Sequence, residues 1–387
     1  MKLESTPQGV VAGSIPLFAG HPSHDLLPIA GVRRAAASLW GGGQVTRLFD
    51  YGDEQGNPQL IEFLVERLNR VERLGISREN LMIIGGATGG VDLICDQLTQ
   101  AGDVVLVDAP SYRDALHIFR DCQLDVRDIP IDDGGAVVEE MAETLRTLAD
   151  AGRAPKFYYV VPNFQNPSGI TMPEARRRAI IELSRRYGFA IVEDDVYNDI
   201  RFCDQLPPSF YALAAGENVL RMGTYSKTLA PGLRIGWLLA SAARIADFVS
   251  SGVLKMGGGA NPFTAAIVAE YCRSGEWEAH LAWLRGQYRQ RRDIALSALD
   301  AAMPPGVSYS RPNGGYFIWL RLPPTVGIAD LAERARRENV YFAPGTGFYV
   351  DPEQGARHLR LSFSFVPIDD LRAGIEILGR LIREMSA

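Results

Sequence analysis

The sequence is poor in residues that staple or ligate, with four cysteines and five histidines among 387 positions. Cys95, Cys122, Cys203 and Cys272 are far apart and form no CxxC pair or metal-type spacing. This excludes a disulfide framework and a zinc site, and predicts a reduced, cytoplasmic chain in which each cysteine fills core. No run of about 18 apolar residues occurs, so no membrane span is expected. The opening MKLESTPQGVVAGSIPLFAG lacks the charged and apolar blocks of a signal peptide. Basic residues are not in excess: 40 Lys+Arg against 46 Asp+Glu give a formal net charge of −6, with both signs scattered. Nucleic acid and anionic membrane are thereby excluded as main partners, and a small anionic ligand has to be held by local charges.

What is present suits a large globular enzyme. At 387 residues, 47% of them hydrophobic, the chain exceeds one ordinary core and two domains are expected. From about residue 60 to 275, short apolar runs at 81–84, 104–107, 157–161, 189–192, 219–222 and 234–239 alternate with amphipathic stretches. That alternation predicts an α/β fold, a mostly parallel sheet with helices on both faces. One helix is punctuated by a possible Thr171/Glu174 capping box, Pro173 in the first turn and Gly188 at its end. A long helix over 276–299 leads to a smaller α+β region containing PNGGYFIWLRL, NVYFAPG and HLRLSFSF. The first 45 residues, with Pro7, Pro16, Pro22 and Pro28, read as an arm that joins that region. The expected division is therefore 1–45 as arm and part of the small domain, 46–280 as the large domain and 281–387 as the small C-terminal domain.

In open parallel sheets, ligands gather where strands end, so the residues just after each run carry the information. GGATGG follows the first run and opens a helical pattern; its backbone N–H groups with Thr88 could cradle a phosphate, or form an ordinary turn. It is neither a dinucleotide fingerprint, since position 87 is Ala, nor a Walker A loop, since Val91 stands where Lys is needed. Tyr112 in DAPSY could lie on a planar ligand or simply pack. Asn166 in PNFQNPSG can donate from its amide or sit in a plain turn. The acids Glu193, Asp194 and Asp195 end a buried strand; alternation and the lack of a nearby His favour one inward-facing acid over a metal site. GTYSKTLAPGLRIGW places Lys227 between two buried strands, beside Thr224, Ser226 and Arg234. Burial and a neighbouring cation would lower the lysine's pKa and make a neutral amine available for imine chemistry, while its neighbours suit a phosphate.

Taken in order from Phe18 to Phe365, YGDEQG, GGATGG, PSY, FQNPSG, VEDDVY, YSKTLAPGLRIGW, GGYF and LRLSF resemble the fold-type I, class I/II aminotransferases that use pyridoxal 5'-phosphate. The chain is particularly similar to the 2-aminoadipate aminotransferase branch and to the aminotransferase-like domain of MocR-type regulators. The resemblance implies a large domain with a mostly parallel seven-stranded sheet and a smaller α+β domain. It implies that Lys227 carries the cofactor as an aldimine and shuttles a proton, and that Asp194 pairs with the pyridine nitrogen. It further implies that Asn166 and Tyr197 bond the ring oxygen and that Tyr112 stacks. The phosphate would be held by Ala87, Thr88, Thr224, Ser226 and Arg234, with Tyr51 reaching in from the partner of a homodimer with shared sites. Arg360 would grip the substrate α-carboxylate, with Gly20 close to it by backbone. An amino acid and a 2-oxo acid, commonly 2-oxoglutarate, would be the substrates, in amino-acid metabolism.

Two features depart from the family pattern. Ala87 replaces a commoner Ser, so one phosphate bond is missing or moved to Thr88. Residues 256–263, MGGGANPF, are richer in glycine than the family stretch near the partner's active site; a pocket enlarged or adapted to an unusual substrate is expected, with alanine at Gly257 to Gly259 changing substrate preference more than cofactor retention. Another PLP reaction, such as elimination, decarboxylation, cyclisation or oxidation, would need the same cofactor residues. A non-catalytic regulator domain is the second alternative, against which stand the acidic net charge and the 15 to 30 residues before the first motif, too few for a winged helix.

Overall fold

The computed structural model describes residues 13–41 and 45–386. Pro7 and the first part of the expected arm lie outside the described residues. At the centre is one eight-stranded sheet, in spatial order Leu81–Ile84, Gly236–Leu239, Val219–Thr224, Ala190–Asp194, Phe157–Val160, Val104–Ala109, Asp125–Asp132 and Gly135–Ala136. The five strands from Val219–Thr224 to Asp125–Asp132 pair in parallel, and Gly236–Leu239 runs antiparallel to both its neighbours. The inner strand Phe157–Val160 and even the edge strand Leu81–Ile84 are buried throughout, as sheets covered on both faces require.

Eight strands stand where seven were expected, because the two-residue strand Gly135–Ala136 folds back antiparallel on Asp125–Asp132. That longer strand, DVRDIPID, also carries no sequence signal of its own. It lies near the sheet's margin, with only Ile129 fully buried, and its charges and Pro130 mask the apolar pattern. Three inner strands run past their apolar cores, to Ala109, Asp194 and Thr224, which delivers polar groups to the C-terminal edge. Arg234 falls outside its expected strand; it adopts φ 52° just before Gly236, at that same edge.

The capping box does not form. Helix Glu174–Tyr187 has Pro173 as its N-cap with no side-chain bond, and Thr171 Oγ1 accepts instead from Phe164 N at 3.3 Å. Gly188 closes the helix with φ 75°. The long helix spans Glu276–Ala302 and packs on the C-terminal helix Ile368–Ser386. Phe317–Arg321, His358–Ser362, Ser308–Tyr309 and Ala343–Pro344 make a four-stranded antiparallel sheet. Ile15–Pro16 pairs in parallel with Val340–Tyr341, so the N-terminal segment is tied to this C-terminal region. The helix Ile29–Gly41, by contrast, packs on Pro262–Arg273. No described helix is long and apolar enough to cross a membrane.

Candidate active site

The C-terminal edge of the large sheet is shaped around buried charge. Glu193, Asp194 and Asp195 are all buried, and the extended chain sends them to different partners. Glu193 accepts from the backbone N–H groups of Phe210 and Tyr211 at 2.9 and 3.1 Å. Asp195 accepts from Asn163 at 3.0 Å and from Arg221, whose guanidinium also binds Glu72 at 2.7 and 2.9 Å. Only Asp194 faces the ligand side. It accepts from Tyr159 Oη at 2.5 Å, and its Oδ1 is buried without a partner. Burial pushes its carboxyl up to about 6, against the Tyr159 hydrogen bond and the Lys227 charge, which favour the anion.

Lys227 sits in the turn after Val219–Thr224. Tyr316 Oη donates to its carbonyl at 2.5 Å, and its Nζ donates to Gly20 O at 2.9 Å. Burial, reinforced by the Arg360 charge, lowers this amine to about 8 although Asp194 opposes the shift. A cavity of about 130 Å³ beside it is lined by Ala87, Thr88, Tyr112, Asn166, Asp194, Tyr197, Thr224, Ser226 and Arg234. Burial raises the hydroxyls of Tyr112 and Tyr197, keeping both as neutral donors.

One end of this cavity suits an anion. Helix Gly86–Leu98 starts there with no side-chain cap, so its first N–H groups point out unpaired by side chains. Thr224 Oγ1 and Ser226 Oγ are 3.0 Å apart, and Arg234 Nη2 donates to Gly85 O at 3.1 Å. Gly86, at φ +78°, leaves room for that guanidinium, since a Cβ would stand 2.8 Å from Arg234 Nη2. Ala87 contributes no hydroxyl.

Arg360, on His358–Ser362, reaches the other end. Its Nη1 donates to Asn166 Oδ1 and its Nη2 to Phe18 O, both at 2.8 Å, while Nε is buried without a partner. The guanidinium lies 4.0 Å from the ring centre of Phe317 and 4.9 Å from that of Phe348. Burial lowers its pKa to about 10, which still leaves it charged at neutral pH. Gly20 lies close by, its backbone against the Phe317 ring.

Two expectations concern the partner's site and involve residues outside this chain's Lys227 cavity. Tyr51 is 85% exposed and belongs to a separate groove of about 740 Å³, not to the Lys227 cavity. The glycine run does not line that cavity either. Gly258 and Gly259 pack on the loop carrying Tyr51: a Cβ on Gly258 would stand 2.5 Å from Gly52 O, and one on Gly259 2.5 Å from Asp53 O. Close backbone contact constrains those two glycines, and Gly259 also lines the groove that holds Tyr51. A larger groove of about 880 Å³ lies along helix Gly86–Leu98, away from these buried charges. Sequence reasoning missed Tyr159, Arg113, Asp114 and His21. A tyrosine within a buried strand was a usable signal for the first, because its hydroxyl must find a partner there.

The family model for aminotransferase class I and II matches residues 14–378. The chain is 32% identical to an aromatic-amino-acid aminotransferase of Thermococcus litoralis, over 96% of this chain and 88% of that one. A solved kynurenine aminotransferase of Pyrococcus horikoshii superposes with a TM-score of 0.90 at 34% identity, covering 96% of this chain and 91% of that chain. An alpha-aminoadipate aminotransferase of Thermus thermophilus, solved with a phosphopyridoxyl-leucine, gives a TM-score of 0.88 at 28% identity, covering 99% and 96% of the two chains.

Proposed function

Since this chain belongs to the class I and II aminotransferases, PLP-dependent transaminases of fold type I, we propose that Lys227 is its cofactor-bearing lysine and the base of amino-group transfer. The observation that carries this is the desolvated Lys227 amine, lowered to about 8, in one cavity with the half-unpaired carboxylate of Asp194.

The residues present fit the cofactor. Asp194 Oδ1 is a buried acceptor with no partner, as a protonated ring nitrogen requires, and the uncapped start of helix Gly86–Leu98 suits a phosphate. In this reading Asp194 pairs with the pyridine nitrogen, Asn166 and Tyr197 hydrogen-bond the ring oxygen, and Tyr112 covers the ring. The phosphate is held by Ala87 and Thr88 through backbone N–H groups, with Thr224, Ser226 and Arg234. Pyridoxal phosphate supplies an electron sink for charge developing at the substrate Cα. Lys227 Nζ takes the proton from that carbon, and a neutral amine is what the task needs. Arg360, already oriented by Asn166 and Phe18, binds the α-carboxylate as a fork while the Gly20 backbone borders it. Tyr159 holds Asp194 in place.

We further propose a homodimer with shared sites, Tyr51 reaching the partner's phosphate. Its support is exposure: Tyr51 is exposed, and so are the rings of Trp40, Phe49 and Phe263, whose centroids lie 5.7 to 6.4 Å apart. Residues 46–280 would act as the cofactor domain and 281–387, with 1–45, as the small one; all eight strands of the large sheet fall between Leu81 and Leu239. The setting would be the cytoplasm, in keeping with four free thiols, and 2-oxoglutarate the acceptor. The test is to mix the purified holoenzyme with a panel of amino acids and follow loss of the cofactor's visible absorbance. Conversion to pyridoxamine phosphate is expected, and Lys227→Ala should abolish it. Retention of the original band with every donor would refute the assignment.

A further inference from the structure

Adjoining the Lys227 cavity is a second one of about 290 Å³, lined among others by Arg360, Arg113, Asp114, His21 and the rings of Phe317 and Phe348. Arg360 is spoken for, by Asn166 and Phe18 and by the α-carboxylate in the reading above. Arg113 is the second guanidinium in this cavity, and its position is built. It opens helix Arg113–Asp121 directly after Tyr112, so the covering ring and the cation ride on consecutive residues.

Arg113 Nε donates to Asp114 Oδ1 at 3.4 Å, while Asp114 Oδ2 accepts from Tyr112 Oη at 2.8 Å. The stem is thus tied down, and Nη1 and Nη2 have no partner among the described residues. The stem also needs space beside the Gly345–Phe348 turn, and Gly347 leaves it: a Cβ there would stand 3.0 Å from Arg113 Cδ. A free guanidinium fork near one already assigned to a carboxylate matches a substrate with two carboxylates. Asp114 does not cancel it, because both side chains are about half exposed, at 52% and 49%, and water screens their mutual attraction.

Resting on the amino-transfer reading and on Arg360 as the α-carboxylate group, we propose that Arg113 reads the distal carboxylate of a dicarboxylic amino acid or 2-oxo acid, with Asp114 anchoring its stem and Gly347 keeping its path open. The chain then favours dicarboxylic partners over aromatic or aliphatic ones of similar bulk.

The experiment measures half-reactions of the holoenzyme with glutamate, 2-aminoadipate, phenylalanine and leucine, for wild type, Arg113→Met and Arg113→Lys. Wild type should convert the two dicarboxylic donors more efficiently. Arg113→Met should lower the glutamate-to-phenylalanine efficiency ratio by about tenfold or more, the loss of one charge-assisted contact, and Arg113→Lys should restore part of it. Gly347→Ala, which crowds the stem without removing the charge, should lower the same ratio by a smaller factor. Wild type preferring phenylalanine or leucine, or a ratio unmoved in Arg113→Met, overturns the inference while leaving amino transfer intact. No conversion of any donor by wild type would instead sink the proposed function, and this inference with it.

Discussion

Asn166 Oδ1 accepts from Arg360 Nη1 at 2.8 Å, a bond between residues 194 positions apart that joins the edge of the large sheet to the C-terminal sheet. The cavity beside Lys227 and the cavity above it meet at this contact, since Asn166 lines both. The group proposed to bind cofactor and the group proposed to bind substrate therefore set each other's position.

Replacing Arg360 with Lys keeps the charge but loses the fork, and leaves Asn166 without its donor. Steady-state kcat/KM for amino acids should fall by roughly 10²-fold, while cofactor retention, read from the visible spectrum after dialysis, should stay near wild type. Equal loss of cofactor and activity would count against the separation of roles.

Lys227 is lowered to about 8, so below that pH its amine is charged and above it neutral. Capture of pyridoxal phosphate by the apoenzyme needs the neutral form. Its rate should therefore rise with pH through about 8 and level off above, well below the range in which an ordinary lysine titrates. Stopped-flow absorbance of the apoenzyme checks this; a rate still climbing steeply above about pH 9 would contradict it.

Asp194→Asn keeps the Tyr159 hydrogen bond but removes the charge proposed to pair with the ring nitrogen. The half-reaction rate should drop on the order of 10²- to 10³-fold, with weaker cofactor binding and an unchanged far-UV CD spectrum. A near-normal rate would show that Asp194 is not the nitrogen's partner.

Alanine at Gly258 meets Gly52 O at 2.5 Å in a backbone at φ +72°, and alanine at Gly259 meets Asp53 O at 2.5 Å. Each should destabilise by roughly 2 kcal/mol or more and lower Tm. Gly257, with nothing within 4 Å of a Cβ, should tolerate alanine. Thermal melts of the three variants decide it, and similar melts would remove the packing explanation.

Arg221 is 1% exposed and binds Glu72 and Asp195, with Glu193 at 4.0 Å. Arg221→Met leaves buried carboxylates facing one another and should cost about 3–5 kcal/mol in urea unfolding. A cost below about 1 kcal/mol would mean that water already solvates the cluster.

Much of this was legible in the order of residues. Apolar runs alternating with amphipathic stretches dictated an α/β sheet, because buried parallel strands must be apolar throughout, and Lys227, Asp194, Asn166 and Tyr112 stand at or just beyond the ends of such runs. Period and composition report burial locally, so a charged strand such as Asp125–Asp132 went unread, and a helix read correctly at Gly188 was given the wrong N-cap. Tertiary structure alone decided that three adjacent acids take three different environments, that Tyr159 holds Asp194, and that Gly258 and Gly259 pack against the Tyr51 loop. It also placed Arg113 beside Arg360 across the cavity. These are contacts between residues dozens to hundreds of positions apart, and only folding, which brings their desolvated groups within a few ångströms, gives them an energy.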